Sequence, residues 1–300
     1  MLLDRNPIGL IVRSFSARPE LVAEQAKAVR ETVDIALALT VGSRHAIKRI
    51  DVIVPTDKRF GDCDCGLTAA ALHTELDSMQ KQGVYVSEIG HGDIYCCLLN
   101  KAVYHQGRSG CDYSIVLSTG VRSYLNEPTI MKMIEAAEAG ALCVPVMIDE
   151  LAESVAEGCP ANTLCMWHLE SLATVGSFDL TAAKPMKEGW PSVEKKGWHK
   201  PEAENMESGE YRYHLAGVEE IIPAVRLHWI FGRPVIAPIL PQGENVRQWL
   251  APDKNRDPIG HRRHVNKMAL KKVRQEKMAD HQNVDLSYLM GAVMPAYRNF

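Results

Sequence analysis

The chain has 300 residues, of which 46% are hydrophobic and 24% charged, and its formal net charge is −3. This length suffices for one large α/β domain or two small ones with a sizeable core, and the charge excludes a global attraction to nucleic acid or membrane. No apolar run approaches the roughly 18–20 residues of a membrane span, and residues 1–15 have no basic leader before an apolar stretch. We therefore expect a cytoplasmic protein whose eight scattered cysteines are reduced.

Apolar, β-branched runs alternate along the chain with segments rich in helix formers. The predicted strands are 8–12, 47–54, 84–89, 112–118, 141–148 and 233–241. The predicted helices are 19–40, 67–83, 93–106, 127–140 and 217–232. Strands that alternate with helices predict βαβ units and a mainly parallel sheet, in which ligands bind at the carboxyl ends of the strands.

Two segments depart from this alternation. Residues 184–213 are rich in glycine, proline and charge, which is typical of either a lid over a binding site or a surface insertion. Residues 251–300 form a basic tail with a predicted helix. We therefore assign residues 1–250 to one ligand-binding domain and residues 251–300 to a helical tail. The charge of the tail fits a solvated helix, a phosphate site, or a contact with nucleic acid or an acidic partner.

Four segments occur in an order that resembles a known family. They are DIYCCLLNKAVYH at 93–105, DYSIVLSTGV at 112–121, NTLCMWHLESLATVGSFD at 162–179 and VEEIIPAVRLHWIFGRPVIAP at 218–238. These segments are similar to motifs of the family 2 glycosyltransferases, and the match extends over residues 8–241. The resemblance implies a GT-A-like fold of the nucleotide-diphospho-sugar transferase type, with a mainly parallel twisted sheet flanked by helices.

The resemblance also implies where a nucleotide-sugar donor binds, namely at the ends of the strands and at the third predicted helix. The candidate nucleotide-sugar contacts at the matching positions are Arg13, Ser14, Asp57, Asp62, Asp64, Asn100, Lys101, Ser118, Thr119 and Gly120. At each of these positions, an ordinary structural role is an alternative to nucleotide-sugar binding. An arginine or lysine is also typical of a solvated surface, and an aspartate is typical of a turn or a helix cap.

The family's metal-binding Asp-x-Asp is replaced here by Ser118, Thr119 and Gly120. In the family that motif holds Mn²⁺ or Mg²⁺ on the donor diphosphate, and such cations prefer carboxylate oxygens. The change leaves open metal-free catalysis, a changed donor or a binding protein. For metal-free catalysis the candidate phosphate-binding cations are Arg226, His261 and Arg263. Cys63 and Cys65 lack the second pair that a zinc site needs, so we predict no zinc site and assign no residue as a metal ligand. Mn²⁺ or Mg²⁺ stays open as a cofactor despite the missing Asp-x-Asp.

The resemblance implies two further sets of functional residues, one catalytic and one acceptor-binding. Glu219 and Glu220 match the family's catalytic pair, and Glu220 occupies the position of the base that takes the proton of the acceptor hydroxyl. Acids in the first turn of a helix are also favoured by its dipole, without any catalytic role. Trp167, His168 and Asp179 match the acceptor-binding segment, although a tryptophan is equally typical of a core.

These observations lead to one principal hypothesis and two alternatives. The chain is predicted to transfer a sugar from a nucleotide-diphosphate donor to an unknown hydroxyl acceptor, with inversion and with Glu220 as base. The first alternative is a non-catalytic module of the same fold that binds a nucleotide or a sugar. The second is a nucleotidyltransferase, which ranks lowest because the segment IVRSFSARP has no glycines for a phosphate loop.

Overall fold

A computed structural model describes residues 7–14, 19–56, 65–89, 94–148, 163–179, 219–242, 255, 283, 285 and 288–297. The predicted lid at 184–213 lies outside these residues, as do most of the basic tail and five of the predicted site residues. Those five are Asp57, Asp62, Asp64, His261 and Arg263. In the part of the chain that is described, no helix is long and apolar enough to cross a membrane.

A six-stranded, mainly parallel sheet forms the centre of the fold. The strands, in chain order, are β1 Ile8–Arg13, β2 Thr40–Val41, β3 Arg44–His45, β4 Ile47–Pro55, β5 Val84–Ile89, β6 Tyr113–Ser118, β7 Cys143–Pro145 and β8 Leu164–His168. The order across the sheet is β5-β4-β1-β6-β8-β7, while β2 and β3 form a separate antiparallel pair. β1 is parallel to β4 and β6, and β4 is parallel to β5. β8 runs antiparallel to both of its neighbours.

Helices cover both faces of the sheet. They are α1 Val22–Ala38, α2 Cys65–Leu76, α3 Ile94–Arg108, α4 Glu127–Glu138, α5 Leu169–Thr174, α6 Ile221–Phe231 and α7 Tyr288–Ala292. On one face α1, α2 and α4 pack against side chains that include Leu10 and Val12 of β1. On the other face α3, α5, α6 and α7 pack against Ile11 of the same strand. The alternation of apolar side chains along β1 therefore divides the core into two layers, because successive residues of a strand point to opposite faces.

Local signals in the sequence account for several element ends. Asn126 caps α4, and its side-chain oxygen accepts a hydrogen bond from the backbone N–H of Thr129 at 3.0 Å. Gly232 ends α6 in the left-handed region, with φ of 60°. These are positions where the sequence alone specifies where a helix begins or ends.

The predicted fold class is confirmed, since the structure has a mainly parallel α/β sheet flanked by helices. Three details differ from the sequence prediction. The strand predicted at 141–148 is limited to Cys143–Pro145. The segment predicted as a strand at 233–241 makes only isolated parallel bridges, from Ile236 to Cys143 and from Ile239 to Val146. β8 lies within one of the four motifs, and nothing in the residue pattern predicts its reversed direction.

One glycine of the central strand is required by close packing. An ideal Cβ added to Gly9 would overlap the side chain of Gln106 on α3. Gln106 cannot easily move away, because it is fully buried and donates hydrogen bonds to Leu10 O at 3.1 Å and to Asp51 Oδ2 at 3.0 Å. Asp51 is itself buried, and Arg49 Nη2 lies 2.8 Å from its Oδ1.

We expect Gly9→Ala to lower the free energy of unfolding by about 1–3 kcal/mol, because the new methyl group must displace Gln106 from its buried partners. Urea unfolding followed by circular dichroism measures this change. Gly107→Ala on α3 is the matched control, since a Cβ there meets nothing within 4 Å and alanine favours a helix. Equal stability of the two variants would contradict the packing argument.

Candidate functional site

An ion pair joins the carboxyl end of the central strand to the beginning of α6. Arg13 is the last residue of β1, and its neighbour in the register of β6 is Ser118. The Arg13 Nη1 atom lies 3.1 Å from Glu219 Oε1, although the two residues are 206 positions apart in the chain. The contact brings a residue predicted to bind the nucleotide-sugar next to a predicted catalytic residue, so these two groups share one site.

Glu219 and Glu220 occupy the turn immediately before α6. Their residue exposures are only 4% and 2%, which is rare for acidic side chains. Glu220 is the N-cap residue of α6, and its side chain does not make a capping hydrogen bond. Backbone N–H groups at a helix N-terminus carry partial positive charge, which stabilises a carboxylate placed there. The position of this pair is therefore suited to holding negative charge away from bulk water.

The beginning of α3 and the segment after α5 complete this side of the site. Burial raises the pKa of the Cys96 thiol well above its ordinary value, Glu219 raises it further, and Arg13 opposes the rise. Asp179 also contributes to the raised pKa of Cys96. Asn100, one turn after Cys96 on α3, holds the backbone of Phe178 through two hydrogen bonds. The segment that ends in Asp179 therefore lies beside α3.

On the opposite face of the sheet, the ends of β1 and β6 are connected by a glutamine of α1. The side-chain nitrogen of Gln25 lies 3.3 Å from both Ser14 Oγ and Thr119 Oγ1. The carbonyl of Thr119 accepts a hydrogen bond from Arg122 at 3.1 Å. Sequence reasoning missed Gln25, since one polar residue in the first turns of an amphipathic helix carries no distinct signal. Its role depends on two strand ends that only the sheet brings together.

The residues described at the end of β6 do not fit a divalent cation. Ser118, Thr119 and Gly120 have no carboxylate, whereas Mn²⁺ and Mg²⁺ favour carboxylate oxygens. Glu219, which contacts Arg13 beside Ser118, is held in an ion pair. Within the described ranges there is no group of three or more His, Cys, Asp or Glu residues that could hold a metal ion.

Asn100 performs a structural task at this site. Its Nδ2 donates to the carbonyl oxygen of Phe178 at 2.8 Å, and its Oδ1 accepts from the N–H of Phe178 at 3.0 Å. The amide thus fixes the segment that leads to Asp179. Lys101, the next residue, is exposed on α3. The side chain of Asn100 is occupied by its two hydrogen bonds to Phe178. The predicted nucleotide-sugar contacts of Asn100 and Lys101 stay predictions.

The direction of β8 moves two predicted acceptor residues away from the site. Since β8 is antiparallel to β6, His168 pairs with Tyr113 at the amino end of β6, and Trp167 pairs with Ser114. Arg13 and Ser118 lie at the other end of these strands. Trp167 is also fully buried, and its ring packs edge-on against Phe178 with centroids 5.5 Å apart. His168 and the backbone of Trp167 thus lie apart from the carboxyl ends of β1 and β6, and their acceptor-binding role stays a prediction.

Arg226 is half-buried on α6 and donates to the carbonyl of Val175 at 3.4 Å. It lies six residues after Glu220, which corresponds to ~9 Å along a helix. Its guanidinium thus contacts the segment 175–179, in which Asn100 holds the backbone of Phe178. The predicted phosphate-binding role of Arg226 stays a prediction.

Comparisons with known proteins give only distant likenesses. No family model matches the chain, and no curated protein matches it. Among solved structures, a mannosyltransferase from Pyrobaculum calidifontis in complex with GDP-Man and Mn²⁺ is 11% identical, with a TM-score of 0.48 over 96% of this chain and 73% of that chain. A cytidylyltransferase from Leptospira borgpetersenii is 11% identical, with a TM-score of 0.34 over 57% of this chain and 63% of that chain. At these values neither likeness assigns a family or a function.

We expect Asn100→Ala to lower the free energy of unfolding by about 1–3 kcal/mol, because the backbone N–H and C=O of Phe178 both lose their partner. Chemical unfolding measures the loss, and hydrogen exchange at residues 175–179 reports local loosening. Lys101→Ala is the neighbouring control, for which a change within about 0.5 kcal/mol is expected at an exposed position. If both variants unfold alike, Asn100 does not fix the loop.

The structure also predicts a pH dependence from His168. Burial lowers the pKa of this imidazole below its ordinary value of 6.5, although Glu170 and Asp112 partly offset the effect. The unfolded chain therefore binds more protons than the folded one as the pH falls below that value, so stability is lost towards acid pH.

His168→Asn tests this prediction, because asparagine keeps an oxygen that can cap α5 but does not titrate. We expect the stability of the unchanged protein to fall more steeply than that of His168→Asn between about pH 7 and about pH 5. Urea unfolding at several pH values measures both curves. Parallel curves would show that His168 does not contribute.

Proposed function

We propose that this protein transfers a sugar from a nucleotide-diphosphate donor to a hydroxyl acceptor, with Glu220 as the general base. The observation that carries the proposal is the contact between Arg13 and Glu219. It joins a residue predicted to bind the nucleotide-sugar to the predicted catalytic pair. The resemblance of four ordered sequence segments to family 2 glycosyltransferases supports the same reading. The buried position of both glutamates supports a role beyond helix capping.

The two glutamates are given different roles. The carboxylate of Glu219 is paired with the guanidinium of Arg13 at 3.1 Å. Glu220 occupies the position that the resemblance assigns to the base, so it is the candidate for taking a proton. Glu219 in turn holds Arg13 in place, at the end of the strand where the donor diphosphate is expected to bind.

The proposed reaction is a direct displacement. The acceptor oxygen attacks the anomeric carbon of the donor sugar while the bond from that carbon to the diphosphate oxygen breaks. The bonding electron pair leaves with the nucleoside diphosphate, and Glu220 takes the proton of the acceptor hydroxyl. Attack from the face opposite to the leaving group inverts the configuration of the sugar. Among the residues that the structure describes, Arg13 is the cation placed to offset the charge that develops on the diphosphate.

One observation favours a second function, a module that binds a nucleotide or sugar without turnover. The segment Ser118–Gly120 has no carboxylate, and the Thr119 hydroxyl is within hydrogen-bond distance of Gln25. A site that has lost its metal ligands but kept its strand ends can still recognise a nucleotide.

The experiment is a turnover assay with a panel of nucleotide sugars and candidate hydroxyl acceptors, with and without Mn²⁺, that detects released nucleotide diphosphate. We expect Glu220→Gln to lower the rate by about 10²-fold or more, since an amide cannot take the proton. Donor binding, followed as a rise in melting temperature, should persist in this variant. Glu170→Gln is the control, because Glu170 is an exposed glutamate of α5.

The outcomes separate the two functions. Turnover that is lost in Glu220→Gln and kept in Glu170→Gln supports the transferase. A shift in melting temperature with a nucleotide sugar, but no turnover of any donor, supports the binding module. If Glu220→Gln and the unchanged protein turn over donor at equal rates, the assignment of the base is wrong.

A further inference from the structure

Two residues of α1 hold the segment that follows β6, where the resemblance places the Asp-x-Asp motif. The side-chain nitrogen of Gln25 lies 3.3 Å from both Ser14 Oγ and Thr119 Oγ1. Both hydroxyl-bearing residues are buried, so these contacts are shielded from water. Arg122 donates to the carbonyl of Thr119, and its Nη2 atom lies 2.8 Å from Glu31 Oε2. The carboxyl ends of β1 and β6 are therefore joined through α1 by a carboxamide and an ion pair.

We infer that this end of the site binds the nucleotide-sugar donor without a divalent cation, with Gln25 as a positioning residue. The inference rests on the proposed function, because it concerns the donor of that reaction. Gln25 sets the distance between the hydroxyls of Ser14 and Thr119, and a donor is expected to bind across these strand ends. A segment that protein groups already fix does not have to be ordered by a metal ion when the donor binds.

The oxygen atoms at this end already accept hydrogen bonds from N–H groups. Gln25 Nε2 donates to the two hydroxyl oxygens, and Arg122 donates to the carbonyl oxygen of Thr119. A cation bound to these oxygens would meet the positive ends of the same N–H dipoles, which repel it. Mn²⁺ and Mg²⁺ also prefer carboxylate oxygens, and residues 118–120 have none. The local dipoles therefore favour a neutral or anionic group of the donor over a metal ion.

Two carboxylates contact groups at this end, and each is paired with an arginine. Glu219 Oε1 lies 3.1 Å from Arg13 Nη1, and Glu31 is the partner of Arg122. A divalent cation would have to displace a guanidinium to reach either carboxylate. Arginine carries five N–H donors, so Arg13 can hold Glu219 and contact a phosphate oxygen of the donor at the same time. The charge of the diphosphate can thus be offset without a metal ion.

The test is isothermal titration calorimetry of the full chain, once in EDTA and once with Mn²⁺. The probes are UDP-glucose, GDP-mannose, CDP-glucose and ADP-glucose. We expect at least one probe to bind with a dissociation constant that differs by less than about threefold between the two conditions, because no metal ion contributes to the affinity.

Gln25→Ala tests the positioning role. This variant loses both hydrogen bonds to the strand ends, so the dissociation constant of the bound probe should rise about fivefold in both conditions. Gln80→Ala is the matched control, since Gln80 is exposed in the 3-10 helix Asp77–Gln82 and undergoes the same truncation. Circular dichroism checks that both variants fold. A merely structural role of Gln25 would lower the melting temperature of the ligand-free protein without changing the dissociation constant of the folded form.

The outcomes distinguish this inference from the proposed function. Binding in EDTA that Gln25→Ala weakens and Gln80→Ala does not supports the inference. Binding that requires Mn²⁺ overturns it and leaves the proposed sugar transfer standing. Equal dissociation constants for the two variants overturn the positioning role of Gln25. If no probe binds in either condition, the inference and the proposed function both fail.

Discussion

The contact between Arg13 and Glu219 is the interaction on which the candidate site depends. Arg13 ends the central strand, and Glu219 precedes a helix that packs on one face of the sheet. Removing either partner leaves a charge in a largely buried place, and breaking a buried pair of this kind costs about 3–5 kcal/mol. Apolar side chains of similar volume could fill the same space. A buried ion pair is therefore more readily retained where its charges also serve a ligand.

Around this pair the structure separates positioning from chemistry. Asn100 fixes the backbone of Phe178, and Gln25 bridges the hydroxyls of Ser14 and Thr119. These amides hold loops and strand ends, while the proposed function gives the proton transfer to a carboxylate at the start of α6. Under the same proposal, the lack of carboxylates at Ser118–Gly120 leaves compensation of the donor's charge to arginine, whose guanidinium is charged throughout the physiological pH range.

The reversed strand β8 organises the rest of the molecule. Because β8 runs against β6, the segment that follows it begins at the amino end of the parallel strands. α5 then leads back to Phe178, whose backbone is held by Asn100 of α3, and to Asp179. His168 therefore lies at the amino end of the parallel strands, and Trp167 lies in the core. Segments that are adjacent in sequence thus serve opposite ends of the domain.

The sequence by itself determined the α/β class, the positions of β1, β4, β5 and β6, and the helices between them, because periodicity, caps and glycines act over a few residues. It also singled out Arg13, Glu219 and Glu220. Only the tertiary structure decided that Arg13 contacts Glu219, that Gln25 spans two strands and that β8 is antiparallel. Strand direction and contacts across 206 positions depend on how distant segments pack, and local residue patterns carry no information about either.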